Sequence, residues 1–216
     1  DVLEGCAGVA NITAWAPEYG LTAIQPADLV YGWNLGTADG RRHWKLAVTE
    51  GKPLMTIFSA PCTLWFFYNV YINFRGPEQE HILKALQDKE RPLLKLAAWT
   101  CREQHRRNCL FLLESPPHSD VWRQEEIAPV AELPGALWAI SHACLFGAVG
   151  IKGQPIKKPM KWLTNHPYVQ AALSVKCPGD HQHEIVEGKN TKPSQVYLDK
   201  LAMAICGAVQ DVAREI

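Results

Sequence analysis

The sequence predicts an α/β fold with a mainly parallel, doubly wound sheet, and two observations support this prediction. Short apolar segments alternate with helical segments along the first half of the chain, as expected for strands joined by helical crossovers. The residues that are candidates for binding or catalysis follow the predicted strands, at positions 4–8, 28, 59–63 and 114–117. Ligands of such sheets bind beyond the carboxyl ends of the strands, so we expect these residues to share one edge.

The first half is predicted to contain four strands and three helices. Apolar runs place the strands at residues 2–3, 21–30, 54–58 and 109–113, and helical spacing places the helices at residues 12–19, 41–50 and 77–108. Pro26 is expected to mark an edge or a bulge in the second strand, and Pro92 to kink or divide the last helix. In the second half, residues 136–146 and 160–164 are predicted strands around a polar turn, and residues 194–216 are a predicted amphipathic helix.

Composition narrows the class of protein. The 216 residues suffice for one sizeable domain, and basic and acidic residues balance at 22 each, so the formal net charge is zero. A protein that coats DNA is usually basic, so a nucleic-acid contact must rest on a local patch or on sequence outside this chain. No apolar run reaches the roughly 18 residues of a membrane span, and the first residues lack signal-peptide features. Seven cysteines at irregular spacing favour a reducing, intracellular compartment, nuclear if the source is a eukaryote.

The loop after the first predicted strand is a candidate cofactor site. Its small residues would let a ligand approach the backbone, and an acid such as Asp28, at the end of the second predicted strand, hydrogen-bonds ribose hydroxyls in dinucleotide-binding folds. The residues predicted to bind a nucleoside cofactor are Glu4, Gly5, Cys6, Ala7, Gly8 and Asp28, together with Ser59 and Pro61. A tight turn and a turn-capping aspartate are the alternative interpretation.

Two side chains at the later strand ends are candidates for catalysis. Cys62 follows the third predicted strand, where the N-terminus of a following helix would stabilise its nucleophilic thiolate form. Glu114 ends the fourth predicted strand, where a carboxyl group with a raised pKa acts as an acid. A buried structural cysteine and a solvated turn glutamate are the alternatives.

These motifs resemble those of the DNA (cytosine-5) methyltransferases. Residues 60–63, APCT, are similar to the family's Pro-Cys motif, residues 113–116, LESP, to its Glu-Asn-Val motif, and residues 3–8, LEGCAG, to its first cofactor motif. Their order and spacing agree over residues 1–125, and residues 195–207 resemble the final cofactor motif, which packs against the first strand. Residues 111–116, FLLESP, with Trp122 behind them, also resemble methyltransferase domains of mobile-element polyproteins.

The resemblance implies a Rossmann-like, S-adenosylmethionine-dependent methyltransferase fold and methyl transfer to carbon 5 of a flipped cytosine in DNA. It assigns Cys62 as the nucleophile and Glu114 as the group that contacts the base. The implied organisation is a cofactor-binding and catalytic region at 1–135, a small module with a hairpin and a Cys/His segment at 136–193, and a C-terminal helix at 194–216 that packs back on the core.

The sequence also departs from the family's pattern. Ala60 replaces a second proline, and Ser115-Pro116 replaces Asn-Val. The chain between Asp28 and residue 54 has room for only one helix, so one strand–helix pair is expected to be absent. Residues 154–158, QPIKK, occupy the place of a Gln-x-Arg-x-Arg motif with lysine in place of arginine.

The departures keep other functions open. A target-recognition domain has little room here, so further domains or a partner would supply that surface. The alternative functions are methylation of RNA or of another substrate, and a non-catalytic module of the same fold that binds nucleic acid or protein.

A Cys/His segment after residue 176 is a candidate zinc site. Cys177, His181 and His183 are ligands that Zn²⁺ prefers, and a structural site requires a fourth, for which Cys144 is the first choice. His142 and His166 are the other candidates, and a polar loop with solvated histidines is the alternative interpretation.

Overall fold

The computed structural model describes residues 1–59, 61–187 and 196–216. In these ranges, one five-stranded sheet lies between helices. The strands are β1 (Val2–Gly5), β2 (Met55–Phe58), β3 (Leu110–Ser115), β4 (Leu137–His142) and β5 (Pro159–Thr164). The α-helices are α1 (Asn11–Trp15), α2 (Ala38–Gly51), α3 (Phe67–Asn73), α4 (Pro77–Arg106), α5 (Pro167–Leu173) and α6 (Asp199–Glu215).

The sheet has the order β1-β2-β3-β5-β4. The pairs β1–β2 and β2–β3 are parallel, whereas β5 runs antiparallel to both β3 and β4. Only β5 therefore opposes the common strand direction among the strands described. The Rossmann-like α/β fold with a mainly parallel sheet that the sequence predicts is confirmed by this topology.

Both faces of the sheet are covered, which explains why its strands are apolar along their whole length. Alternate residues of the first three strands, including Val2, Met55 and Leu112, pack with α1, α5 and α6. The residues between them, including Leu3 and Leu113, pack with α2 and α4 on the other face. Among the residues described, no helix is both long enough and apolar enough to cross a bilayer.

The second predicted strand, residues 21–30, forms only two isolated parallel bridges to β1, at Ala23 and Ala27. Pro26 lies between these bridges and has no N–H to donate to a ladder, so the prediction of a regular strand is wrong. The segment then turns into a short 3₁₀ helix, Leu29–Tyr31, capped by the carboxylate of Asp28.

Two predicted helices also differ in detail. The predicted helix at residues 12–19 divides into α1 and a 3₁₀ helix, Ala16–Tyr19, with Pro17 near the junction. In contrast, α4 is one helix that continues through Pro92, so it is not divided there. Buried residues follow that proline, among them Leu94 and Ala97, and their packing stabilises the helix beyond it.

The second half of the chain extends the same sheet. β4 and β5 form the predicted antiparallel pair, and β5 joins them to β3 at the sheet's centre. A 3₁₀ helix, Ala143–Phe146, replaces the last part of the predicted strand 136–146. α6 packs against α1 and α5, while residues 188–195, which include the start of its predicted range and the end of the predicted small module, lie outside the described residues.

Gly5 provides a direct test of this packing. A Cβ atom at Gly5 would lie 2.8 Å from the Phe58 ring and 2.8 Å from the Trp44 ring. The Trp44 ring is fixed because its Nε1 donates a 2.8 Å hydrogen bond to Thr100 Oγ1. We therefore expect Gly5→Ala to lower the free energy of unfolding by about 2–3 kcal/mol, as measured by urea denaturation.

Gly207→Ala in α6 is the matched control. There the added Cβ would make an ordinary 3.5 Å contact with Tyr19, and alanine is the better helix former, so stability should be unchanged or rise by up to about 1 kcal/mol. Equal losses in the two variants would contradict this account of the strand end.

Candidate functional site

The carboxyl ends of β1, β2 and β3 lie at one edge of the sheet, because the three strands are parallel and in register. Cys62 follows β2 and Glu114 is the penultimate residue of β3. Their side chains are close enough that the charge of Glu114 raises the pKa of the Cys62 thiol. The structure thus brings the two predicted catalytic residues together.

The Cys62 thiol is held in its protonated form. Burial raises its pKa to about 11, Glu114 adds to this effect, and Lys158 opposes it. The expected stabilisation of the thiolate by a helix N-terminus is wrong. A 3₁₀ helix of three residues, Thr63–Trp65, follows Cys62, and so short an element has little macrodipole.

A hydrogen-bonded chain ends at the Glu114 carboxyl group. The Tyr197 hydroxyl donates to Glu114 Oε2 at 3.5 Å and lies 2.5 Å from Ser59 Oγ. Because a phenol has one proton, this arrangement makes Ser59 the donor to Tyr197. Burial raises the pKa of Glu114 above its ordinary value, while Lys158 and Tyr197 partly oppose that effect. Burial, with the charge of Glu114, also raises the pKa of Tyr197, which therefore stays a donor.

The loop after β1 has an unusual backbone. Cys6 and Ala10 have positive φ angles of 56° and 54°, as Gly8 has at 56°. Left-handed residues other than glycine are uncommon and concentrate at functional sites. Gly8 is exposed, with no heavy atom within 4 Å of its would-be Cβ, so its backbone is accessible to a ligand.

Asp28 fixes this loop from the neighbouring segment. Its Oδ2 accepts a 3.0 Å hydrogen bond from the Gly8 N–H, and its Oδ1 accepts a 3.2 Å bond from the Val30 N–H. Asp28 therefore lies beside the loop and caps the turn at residues 29–31, whereas its contact with a ribose stays a prediction. Burial, followed by the charges of Asp28 and Glu90, raises the pKa of the Cys6 thiol to about 12.

Four other predicted cofactor residues have different surroundings. The buried Glu4 carboxylate accepts hydrogen bonds from the N–H and Oγ1 of Thr13, and so fixes α1 to β1. Gly5 faces the core beside Phe58, as described above. Ala7 is partly exposed in the loop and Pro61 is exposed, while Ala60 before it lies outside the described residues.

Three residues of this edge were not among the predicted site residues. Lys158 belongs to the QPIKK segment, so the sequence did contain a signal for it. Tyr197 lies in the segment similar to the family's final cofactor motif, but nothing in the sequence pairs it with Glu114. Glu90, on α4, accepts a 3.0 Å hydrogen bond from Trp65 Nε1 and raises the thiol pKa of both Cys6 and Cys62. Its place on a mostly polar helix gives it no distinguishing signal.

Two cavities lie among the described residues, and neither is lined by Cys62, Glu114 or Asp28. One, of about 140 Å³, has mainly apolar walls and includes Lys158 and Tyr197. The other, of about 610 Å³, lies beyond β3 and combines aromatic with cationic side chains. Its aromatic and cationic walls are formed by Phe67, Tyr68, Trp122, Trp138, Arg123 and Lys161. In it, Lys161 Nζ lies 3.8 Å from the centre of the Trp138 ring.

The four predicted metal ligands lie together. One ligand atom from each of Cys144, Cys177, His181 and His183 lies within 4.8 Å of all the others. The other two candidates have different partners: His142 Nδ1 accepts a 2.9 Å bond from the Cys177 N–H, and His166 Nδ1 accepts a 3.3 Å bond from the Tyr168 N–H.

Comparisons with known proteins give similarity to solved structures but no match of sequence. No protein-family model matches the chain, and no curated protein matches its sequence. Among solved structures, the chain is similar to a mutant of DNMT2 from Spodoptera frugiperda, with 11% sequence identity and a TM-score of 0.38. The match covers 85% of this chain and 53% of the DNMT2 chain, so the present chain spans about half the length of that protein. The fold class itself follows from the strand order and directions described above.

The charges around Cys62 predict its reactivity. Since its pKa is about 11, alkylation of Cys62 by iodoacetamide should accelerate about tenfold per pH unit between pH 7 and 10. Glu114→Gln removes a charge that raises this pKa, so the rate at pH 8 should rise roughly three- to tenfold. Lys158→Gln should slow it by a similar factor, as followed by mass spectrometry of the Cys62 peptide.

Asp28→Asn is the control for long-range effects. Asp28 raises the pKa of Cys6 and is not among the groups that shift Cys62, so this variant should speed alkylation at Cys6 alone. Equal Cys62 rates in wild type, Glu114→Gln and Lys158→Gln would show that these side chains do not act on the thiol.

Proposed function

We propose that this chain is an S-adenosylmethionine-dependent methyltransferase that methylates carbon 5 of cytosine in DNA, with Cys62 as nucleophile. The observation that supports this most strongly is the pairing of Cys62 with Glu114 at the ends of adjacent parallel strands. Adjacent strands lie about 5 Å apart, so residues near their ends can reach the two sides of one pyrimidine ring.

The residue types suit the chemistry. Carbon 5 of cytosine is a poor nucleophile, and addition of the Cys62 thiolate to carbon 6, with a proton from Glu114 to N3, converts the ring to an enamine. S-adenosylmethionine, when bound, supplies an electrophilic methyl group that this enamine accepts at carbon 5. Loss of the carbon 5 proton to a base, departure of the thiolate from carbon 6 and return of the N3 proton to Glu114 then restore the aromatic ring and the free enzyme.

The protonation states agree with these roles. The raised pKa of Glu114 keeps more of this carboxyl group protonated at neutral pH, as a proton donor requires. Lys158 favours the charged forms of both Cys62 and Glu114, so it is the group we assign to stabilise the thiolate. If methyl transfer depends on protonated Glu114, its rate is highest below the raised pKa of Glu114 and falls as the pH rises through that value.

The loop 6–8 and Asp28 are the residues we assign to the methyl donor. The exposed backbone at Gly8 gives a ligand access, and each Asp28 oxygen accepts one backbone N–H, so lone pairs remain for ribose hydroxyls. Glu90 raises the thiol pKa of both Cys6 and Cys62, so one side chain of α4 acts on both the loop after β1 and the segment after β2.

DNA is the proposed partner, with the target cytosine flipped out of the stack. The zero net charge requires a local binding patch, and the cleft with Trp138 and Lys161 combines stacking surfaces with a cation. Aromatic side chains and cations together suit unstacked nucleotides. Further domains or a partner would supply the rest of the recognition surface.

Trapping on DNA that contains 5-fluorocytosine tests the cysteine mechanism. Fluorine at carbon 5 cannot leave as a proton does, so the Cys62 adduct should persist in the presence of S-adenosylmethionine and be visible by denaturing electrophoresis. Cys62→Ala should abolish the adduct. Glu114→Gln should slow its formation by about 10²- to 10⁴-fold, because the ring loses its proton donor.

Cys109→Ser is the matched control, because Cys109 lies at the opposite end of β3 and should leave trapping unchanged. An adduct that persists in Cys62→Ala would overturn the assignment of the nucleophile. A Cys62-dependent adduct on RNA that contains 5-fluorocytosine, without an adduct on DNA, would show that the substrate is RNA and not DNA. Absence of both, in folded protein that binds the methyl donor, would overturn the cysteine mechanism.

A further inference from the structure

We propose that Cys144, Cys177, His181 and His183 bind one structural zinc ion. None of these four residues belongs to the proposed catalytic edge, and the site does not depend on the proposed function. Two thiolates and two imidazoles form a complete ligand set for a structural zinc site, with no position left for a substrate.

The distances match tetrahedral coordination. Zinc–sulfur bonds of about 2.3 Å and zinc–nitrogen bonds of about 2.0–2.1 Å place sulfur and nitrogen about 3.6 Å apart at a tetrahedral angle. Cys177 Sγ lies 3.6 Å from His181 Nε2 and 3.4 Å from His183 Nε2. All four ligand atoms lie within 4.8 Å of one another, so a small movement suffices to close the site around an ion.

The groups behind the ligands also fit. His181 Nδ1 is 2.8 Å from Asp180 Oδ1, so a carboxylate orients the imidazole and leaves Nε2 towards the other ligands. The Gly179 N–H donates to Cys177 Sγ at 3.4 Å, which orients this sulfur in the loop. The Cys177 N–H in turn donates to His142 Nδ1, which fixes the loop to the end of β4.

The ion would join two parts of the fold. Cys144 belongs to the 3₁₀ helix after β4, whereas the other three ligands lie in the segment after α5. The same segment reaches Glu184, whose carboxylate accepts from the N–H groups of Lys152 and Gln154. Zinc would therefore hold this segment against the 3₁₀ helix that contains Cys144.

Metal analysis of the intact chain tests the proposal. Protein purified without chelators should contain about one zinc per chain by plasma mass spectrometry, against less than about 0.2 in Cys177→Ser and in His183→Gln. Cys109→Ser and His118→Gln are the matched controls and should keep the metal. Replacement of zinc by Co²⁺ should give visible d–d bands and a thiolate-to-cobalt charge-transfer band that Cys177→Ser lacks.

Removal of zinc from the wild-type chain by a chelator tests the same proposal even if a variant fails to fold. Removal of zinc from the wild-type chain should lower its melting temperature by at least about 5 °C, and added Zn²⁺, but not Mg²⁺, should restore it. Less than about 0.1 zinc per chain in folded wild type supplied with zinc would overturn the proposal. So would full zinc content in Cys177→Ser, or a Cys144–Cys177 disulfide in protein purified under reducing conditions.

Discussion

The parallel, in-register pairing of β1, β2 and β3 places the loops that follow all three strands at the same edge of the sheet, and the candidate site depends on this placement. Cys6, Cys62 and Glu114 are far apart in the sequence, and the common strand direction brings them to one edge. β5 completes the arrangement by running the other way. The first residues of β5 lie beside the last residues of β3. Lys158, which directly precedes β5, is therefore close enough to lower the pKa of Glu114.

Burial and the charge of Lys158 have opposing effects on the pKa values of Cys62 and Glu114. Burial raises the pKa of Cys62, Glu114 and Tyr197, and so favours their neutral forms. The neutral form suits Glu114 as a proton donor, whereas Cys62 must lose its proton to act as a nucleophile. Lys158 opposes the effect of burial on the pKa of both residues, so it favours the charged forms of the proposed acid and the proposed nucleophile. A lysine at this position keeps the charge that an arginine would provide but lacks its planar, two-pronged geometry.

The sequence predicts those parts of the site that follow a strong local pattern. Cys62 and Glu114 follow compact apolar runs bounded by prolines, so their places at strand ends are visible without the structure. The ligands Cys177, His181 and His183 are close in sequence, and the fold brings Cys144 to them as predicted. In contrast, the residues 21–30 are apolar enough for a strand, but Pro26 interrupts the ladder, and α4 passes through Pro92 because tertiary packing compensates for the lost bond.

The features of the site that the sequence does not predict depend on contacts between distant segments. Tyr197 reaches Glu114 only because α6 packs against α1 and places the residues before it over the strand ends. Gly5 resembles a cofactor glycine in the sequence, but the structure requires glycine there because a Cβ atom would clash with the Phe58 and Trp44 rings. The short element after Cys62 could not be distinguished from a helix in the sequence, so the high pKa of the thiol was not foreseeable.

The central claim is methyl transfer to carbon 5 of cytosine. It is tested most directly by incubating the protein with DNA and S-adenosylmethionine that carries a deuterated methyl group, followed by mass spectrometry of the digested nucleosides. The account predicts deuterated 5-methyldeoxycytidine that depends on Cys62. Label on an exocyclic nitrogen of cytosine or adenine, or label at carbon 5 that persists in Cys62→Ala, would contradict it.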